Sequence, residues 1–320
     1  MKTFIYCGGN TMDNLGNGFL DIGAWYQLKK VFPDSKIVSI SNTSPEKSYF
    51  FGKKHVFGRF GKRKQNRFDL RMQFEGDYYV LTAACLCDSW FDINTDFINW
   101  LSETQHKVII LGASGSDSGS LKYNLKELNR IKERISKINL YLMISRDIDT
   151  FDIFSDLAKY SYNGIDCAMF LNDAFSPSRM ITNPYDVFTF DNIAERNIQT
   201  KRDIIRLSHK ASDADSLSRS IRHPRLTYGL MYKRDWVSDF PEDYLNIYAN
   251  CDTTYTDRVH ACVAALIYGK RAMYFGNSPR SGLLNRVLND RPFMNKPVQL
   301  DLTYIKLEKE KQLDFLKKHI

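Results

Sequence analysis

At 320 residues, 43% apolar and 13% aromatic, the chain has material for two domains of roughly 150 residues each, and its composition excludes disorder. No stretch approaches 18 consecutive apolar residues, and the short apolar start ending at Gly8-Gly9 is too brief for a signal-peptide core, so a soluble cytoplasmic protein is expected, at most peripheral to a membrane. Six scattered cysteines make a disulfide scaffold or structural zinc site unexpected, and the net charge of +8 points to anionic partners.

In chain order, residues 3–6 read as a strand, Gly8-Gly9-Asn10 as a turn, and Phe19, Ile22, Tyr26 and Leu28 as one helix that stops before Pro33. A second strand covers 36–40. There follows a basic insertion at about 43–75, in which Lys53, Lys54, Arg59, Lys62, Arg63, Lys64, Arg67 and Arg71 interleave with Phe57, Phe60 and Phe68. Such a stretch attracts phosphate, anionic lipid or polyanionic glycan, or is a solvated basic loop. No nucleic-acid motif accompanies it, and nucleic acid is not an expected partner.

Strands are then predicted at 78–82 and 108–111, with a helix over 91–101 between them. Leu121, Leu125, Leu128, Ile131 and Ile135 mark an amphipathic helix, 140–144 a buried strand, and Thr150 the cap of a helix running to about 159. The looser stretch around Pro177, Asn183 and Pro184 separates a domain of residues 1–170 from one of 171–320. Further strands are predicted at 187–190, 203–207, 226–228, 253–255 and 272–275. Residues 304–319 form a helix that folds back over one domain. Strands alternating with helices spell α/β architecture with parallel sheets.

In such sheets ligands bind at the carboxyl ends of strands, and three strand ends carry suitable residues. The first, residues 7–17, offers Asn10, Asp13 and Asn14 among glycines. It lacks both the G-x-G-x-x-G fingerprint and the lysine of a P-loop. The second is Ser145-Arg146-Asp147, where an arginine leaving an apolar strand needs an anion, either Asp147 or a ligand. The third is Thr256-Asp257-Arg258-Val259-His260 ahead of an apolar helix closed by Gly269. Arg258 and His260 lie at the helix start, where free amides and the macrodipole favour a phosphate or carboxylate and the imidazole can carry a proton. Asn277 and Arg280, after the last strand, either complete this anion site or cap the next helix.

The segment Thr256-Asp257-Arg258-Val259-His260-Ala261, its helix to Tyr268-Gly269-Lys270 and the following strand with Gly276-Asn277 resemble the C-terminal signature of polysaccharide pyruvyl transferases. Ile144-Ser145-Arg146-Asp147 and the turn from Gly9-Asn10 to Asn14 resemble two further blocks of that family, in the same order. The turn Thr82-Ala83-Ala84-Cys85 departs from the glycine-rich turn common there, and Thr11-Met12-Asp13 from the compact Gly-Asp. The resemblance implies two Rossmann-like domains facing across a cleft, as in GT-B glycosyltransferases, with the acceptor on the N-terminal side and the donor on the C-terminal side. It also implies transfer of a pyruvyl ketal from phosphoenolpyruvate to a sugar of a cell-surface polysaccharide or its lipid-linked precursor, without a metal or cofactor. His260, Arg258 and Arg146 would be catalytic, and Asn10, Asp13, Asn14, Asn277 and Arg280 would bind substrate. Two other readings stay open: a glycosyltransferase using a nucleotide sugar, and a non-catalytic polyanion-binding protein on the same scaffold.

Overall fold

A computed structural model describes residues 1–9, 14–41, 69–82, 84–115, 123–209, 236–238, 240–276, 281–288 and 296–320. Two parallel sheets organise them. The first has six strands in the order β2-β1-β3-β4-β5-β6: β1 (Thr3–Gly8), β2 (Lys36–Ser41), β3 (Tyr78–Thr82), β4 (Val108–Ala113), β5 (Leu140–Ser145) and β6 (Tyr160–Asn163). The second has four, in the order β10-β9-β7-β8: β7 (Tyr185–Thr189), β8 (Asp203–Arg206), β9 (Thr253–Thr256) and β10 (Arg271–Tyr274). In both sheets the second strand lies outside the first and the third lies on its other side. Each therefore reverses strand order next to its first strand, between β1 and β3 and between β7 and β9. Such switch points open crevices at the carboxyl ends of the strands.

The pleat explains how the first sheet is covered. Phe4, Tyr6, Val80 and Leu111 face one way, while Ile5, Cys7, Leu81 and Ile110 face the other, so each strand is apolar on both faces. The first face lies against helix α1 (Gly16–Val31) and the second against α2 (Asp88–Ile93), α3 (Thr95–Thr104) and α4 (Leu125–Ser136). Helix α1 also belongs to the second sheet's core. Phe19, Leu20 and Ala24 share one apolar cluster with Tyr244 and Tyr248 of helix α7 (Pro241–Asn250) and with Val263 and Leu266 of helix α8 (Val259–Ile267).

Several elements differ from their sequence-based expectation. The helix expected over 91–101 is two helices that meet at Asn94, whose side-chain amide donates to Trp90 O (2.8 Å) beside the backbone amide of the same residue (3.2 Å) and accepts from Arg71 Nη1 (2.7 Å). The helix after β5 is capped by Asp147, which accepts from the Thr150 amide (2.8 Å), so Thr150 is inside it rather than its cap. It ends at Phe154 as α5 (Ile148–Phe154), and a single 3₁₀ turn leads into β6, a strand whose Tyr-Ser-Tyr-Asn sequence carries little apolar signal. The expected strand at 226–228 and the start of the expected helix at 121 lie outside the described residues.

After β6 come a 3₁₀ turn (Cys167–Phe170) and short helix α6 (Leu171–Ala174). Beyond the second sheet, α9 (Gly282–Leu288) precedes α10 (Leu302–His319), capped by Asp301. Helix α10 folds back onto the first domain, with Ile305 and Leu316 buried and Leu307 exposed. Gln312 donates to Gln27 Oε1 (2.8 Å) and accepts from the Ile165 amide (2.8 Å), and Tyr141 donates to His319 O (2.9 Å). Gly23 of α1 lies so near the 167–170 turn that a Cβ there would stand 1.8 Å from Cys167 O. Gly23→Ala is therefore expected to destabilise the protein by about 2–3 kcal/mol, although alanine is the better helix former. Urea denaturation of the two proteins checks this; equal or higher stability of the variant would contradict the close approach.

Candidate active site

The turn after β9 is built by its own side chains. Thr256 Oγ1 donates to Thr189 O (3.0 Å) and accepts from the Arg258 amide (2.9 Å). Asp257 accepts from the amides of Asp191, Asn192 and Ile193, at 3.1, 2.6 and 2.8 Å. Its carboxylate thus serves the backbone, joining the ends of β7 and β9 at the second sheet's switch point. Arg258 is the N-cap residue of α8, and His260 is the second residue of that helix.

From this position Arg258 reaches across to α1. Its Nη2 donates to Asn14 Oδ1 (2.5 Å), while Nε lies 3.4 Å from Asp191 Oδ2. Asn14 Oδ1 also accepts from the Gly16 amide (3.2 Å) at the start of α1. Gly16 has to be small, because a Cβ there would stand 2.8 Å from His260 Nδ1. The absent side chain lets the two helix starts meet face to face.

The other imidazole nitrogen points at residues of the first sheet. Arg146, at the end of β5, lies with Nη1 3.5 Å from His260 Nε2 and donates from the same atom to Asp166 Oδ2 (2.9 Å). Its Nη2 donates to Ser114 Oγ at the end of β4 (2.8 Å). Of the two alternatives read from the sequence, Asp147 is not its partner; that carboxylate caps α5. Asp166 Oδ2 lies 3.7 Å from His260 Nε2, so this nitrogen stands between a guanidinium donor and a carboxylate. Protonated, it can donate to Asp166; unprotonated, it can accept a hydrogen bond from Arg146, so both protonation states have a partner. Burial alone would raise the Asp166 carboxyl, but the Arg146 charge and the His260 hydrogen bond hold it down at about 2.

Arg146, Arg258, His260 and Asn14, four of the residues singled out from the sequence, thus come together. Asn10, Asp13, Asn277 and Arg280 lie outside the described residues, as does the basic insertion up to residue 68. Arg71 does not belong to a surface patch: it is 1% exposed and paired with Asp69, Nε to Oδ1 at 2.9 Å. Three carboxylate, hydroxyl or imidazole groups escaped the sequence reading. Asp166 follows the missed strand β6, and its signal was a lone acid directly before the apolar run Cys167-Ala168-Met169-Phe170-Leu171, where burial demands a counter-charge. Ser114 stands in the turn Gly112-Ala113-Ser114-Gly115 after β4, where nothing local points to its partner. His209, at the end of the β8 segment, stacks edge-on against Phe19 and has Nε2 2.7 Å from the Tyr248 hydroxyl. Burial, then Arg258 and His260, push its pKa well below the ordinary value, so it is neutral at pH 7.

Among the described residues no helix is long and apolar enough to cross a membrane. Asp166→Asn would leave Arg146 charged and without its counter-ion, and a loss of about 3–5 kcal/mol at pH 7 is expected. The folded-state pKa lies below the unfolded one, so this contribution is present above pH 4 and fades as pH falls towards 2. The gap between wild type and variant in denaturant titrations should narrow by about 2 kcal/mol over that window; a gap independent of pH would contradict the pairing.

A family model for polysaccharide pyruvyl transferases matches residues 14–279. No curated protein matches the chain in sequence. Among solved structures, S. aureus MnaA in complex with UDP superposes with a TM-score of 0.50 at 10% identity, covering 100% of this chain and 90% of that one. An uncharacterized protein from Klebsiella pneumoniae gives a TM-score of 0.49 at 17% identity with 92% of each chain covered. UDP-GlcNAc 2-epimerase from Methanocaldococcus jannaschii gives 0.49 at 12%, covering 99% and 100%. The fold is α/β with two Rossmann-like parallel sheets in a GT-B-like arrangement.

Proposed function

The chain belongs to the polysaccharide pyruvyl transferase family and is a transferase, and from that premise we propose that it moves a pyruvyl group from phosphoenolpyruvate onto two hydroxyls of a sugar, in a cell-surface polysaccharide or its lipid-linked precursor on the cytoplasmic side. The observation that carries this reading is the convergence of Arg258 from one sheet and Arg146 from the other on the two sides of His260. Phosphoenolpyruvate bears a phosphate and a carboxylate, and two arginines with the N-terminal amides of α8 form a cationic frame for both.

The two arginines are unequal. Arg146 is balanced by Asp166, with only Nε left unpaired among the described residues. Arg258 keeps Nη1 without a partner among them and meets Asp191 only at 3.4 Å. In this reading Arg258 supplies the main grip on the phosphate, while Arg146, itself buried, holds His260 and adds its positive charge to the site.

The chemistry needs a proton carrier. One acceptor hydroxyl oxygen bonds to C2 of the donor as C3 gains a proton. The bond from C2 to the phosphate oxygen then breaks, and the second hydroxyl closes the ketal at C2. Of the two hydroxyl protons, one is balanced by that on C3 and the other leaves with phosphate. His260 Nε2, with a partner in either protonation state, takes the first proton and returns one to C3. Asn14 links the loop before α1 to Arg258 and so ties acceptor-side backbone to the donor grip. The basic residues 53–67 would suit an anionic acceptor or membrane surface.

Incubation with phosphoenolpyruvate and candidate glycans is expected to release phosphate and add a pyruvyl ketal detectable by mass spectrometry. His260→Gln should lower kcat by roughly 10²- to 10⁴-fold with phosphoenolpyruvate binding kept. Arg258→Ala should weaken donor binding in calorimetry as well. Thermal stabilisation by nucleoside diphosphates and none by phosphoenolpyruvate would overturn the reading in favour of a nucleotide-sugar enzyme.

A further inference from the structure

The second sheet's switch point holds Arg258, and the first sheet's switch point holds a different side chain, Asp21 of α1. Its Oδ1 accepts three hydrogen bonds: from the Gly9 amide after β1 (2.8 Å), the Tyr6 hydroxyl (2.9 Å) and the Thr82 hydroxyl at the end of β3 (2.7 Å). Its Oδ2 accepts none among the described residues. A pocket of about 570 Å³ opens beside it at the carboxyl ends of β1 and β2, within the size range of small-ligand sites. Trp25, Tyr26 and Tyr6 give this pocket aromatic walls, and Ser39, Ser41 and Lys29 contribute polar groups. Gly8 keeps the approach to Oδ2 open, since a Cβ there would lie 3.0 Å from that oxygen.

These groups describe an amphipathic ligand. Aromatic faces take apolar C–H surface, and a carboxyl oxygen to which no described residue donates calls for a hydroxyl; burial pushes the Asp21 carboxyl up to about 6, so it is ionised at pH 7. A phosphate or carboxylate would be repelled by Asp21, so phosphoenolpyruvate does not fit here. Lys29 is already engaged, donating to Ser35 O (2.9 Å), and does not offset that repulsion. A neutral polyhydroxylated ring with an apolar C–H face meets both demands.

We propose that this pocket is a carbohydrate subsite in which a pyranose ring of the acceptor lies against Trp25 and Tyr26 and donates one hydroxyl to Asp21 Oδ2. Its role as an acceptor subsite rests on the pyruvyl-transfer reading; the carbohydrate binding itself does not. Asp21 and the residue that touches His260, Gly16, are five positions apart on α1, about 7.5 Å along its axis. One helix therefore fixes the distance between the subsite and the imidazole. A glycan longer than one residue would be held by the subsite while its reacting end lies towards His260.

Saturation-transfer NMR on the full chain with methyl glycosides of glucose, galactose, mannose and their N-acetyl forms tests the proposal. At least one glycoside is expected to bind, with Asp21→Asn and Trp25→Ala each weakening it at least tenfold. Asp21→Asn is close in size and is the variant to rely on should Trp25→Ala fail to fold, as judged by its melting curve. Phosphoenolpyruvate affinity, measured separately by calorimetry, should change by less than twofold in Asp21→Asn. No glycoside binding, glycoside binding indifferent to Asp21→Asn, or displacement of the glycoside by UMP with greater affinity would each overturn the subsite. Loss of phosphoenolpyruvate binding in the wild type would instead count against the donor reading and leave the carbohydrate result to stand alone.

Discussion

A guanidinium enclosed between two sheets cannot remain charged without a counter-ion, and the site is organised around the way Arg146 meets that requirement. Its partner Asp166 is wholly buried, and the pair is completed by Ser114. Such a pair gains little net stability, because desolvating both ions offsets most of their attraction. Its effect is positional. With Arg146 and Asp166 locked to each other, His260 arrives from the opposite sheet to find a donor at 3.5 Å and a carboxylate at 3.7 Å, both in fixed places. The ion pair belongs to the first domain and the imidazole to the second, so the site exists only when the two sheets are docked.

Helix α1 makes that docking specific. It begins where Gly16 lets His260 come close, continues with Phe19 and Leu20 in the core beside α7 and α8, and passes Gly23 against the 167–170 turn. Near its middle Asp21 bridges the ends of β1 and β3. A single rod touches the switch points of both sheets, so a shift of one domain against the other would be transmitted to both sites together. Small residues at 16 and 23 set its position by close backbone approach, where a larger residue would have to push something aside.

Much of this was legible in the residues themselves. Buried parallel strands announce themselves as short apolar runs, and 78–82 was located to the residue for that reason. Arg258 and His260 stand out because an arginine and a histidine at the start of an otherwise apolar helix have few structural uses, and the structure brings Arg258 against Asn14 and His260 against Arg146. Strand β6 was not, since Tyr-Ser-Tyr-Asn is half-exposed on the sheet's edge and carries neither a long apolar run nor a clear alternation. The break at Asn94 was hidden because the apolar spacing of Phe91, Phe97, Ile98 and Leu101 continues through it.

The choice of Arg146's partner shows where local reading reaches its limit. Asp147 is adjacent in sequence, yet a helix begins there with free amides, and capping the Thr150 amide uses the carboxylate at once. Asp166 is twenty positions away and has no such local demand beyond the Ala168 amide, which its Oδ1 satisfies (2.8 Å), leaving Oδ2 for the guanidinium. A carboxylate has two oxygens, and each acid gave its first to the backbone turn nearest to it. Only Asp166, carried to the carboxyl ends of β4 and β5 by the strand that sequence reading overlooked, had its second oxygen directed at Arg146 and within reach of His260.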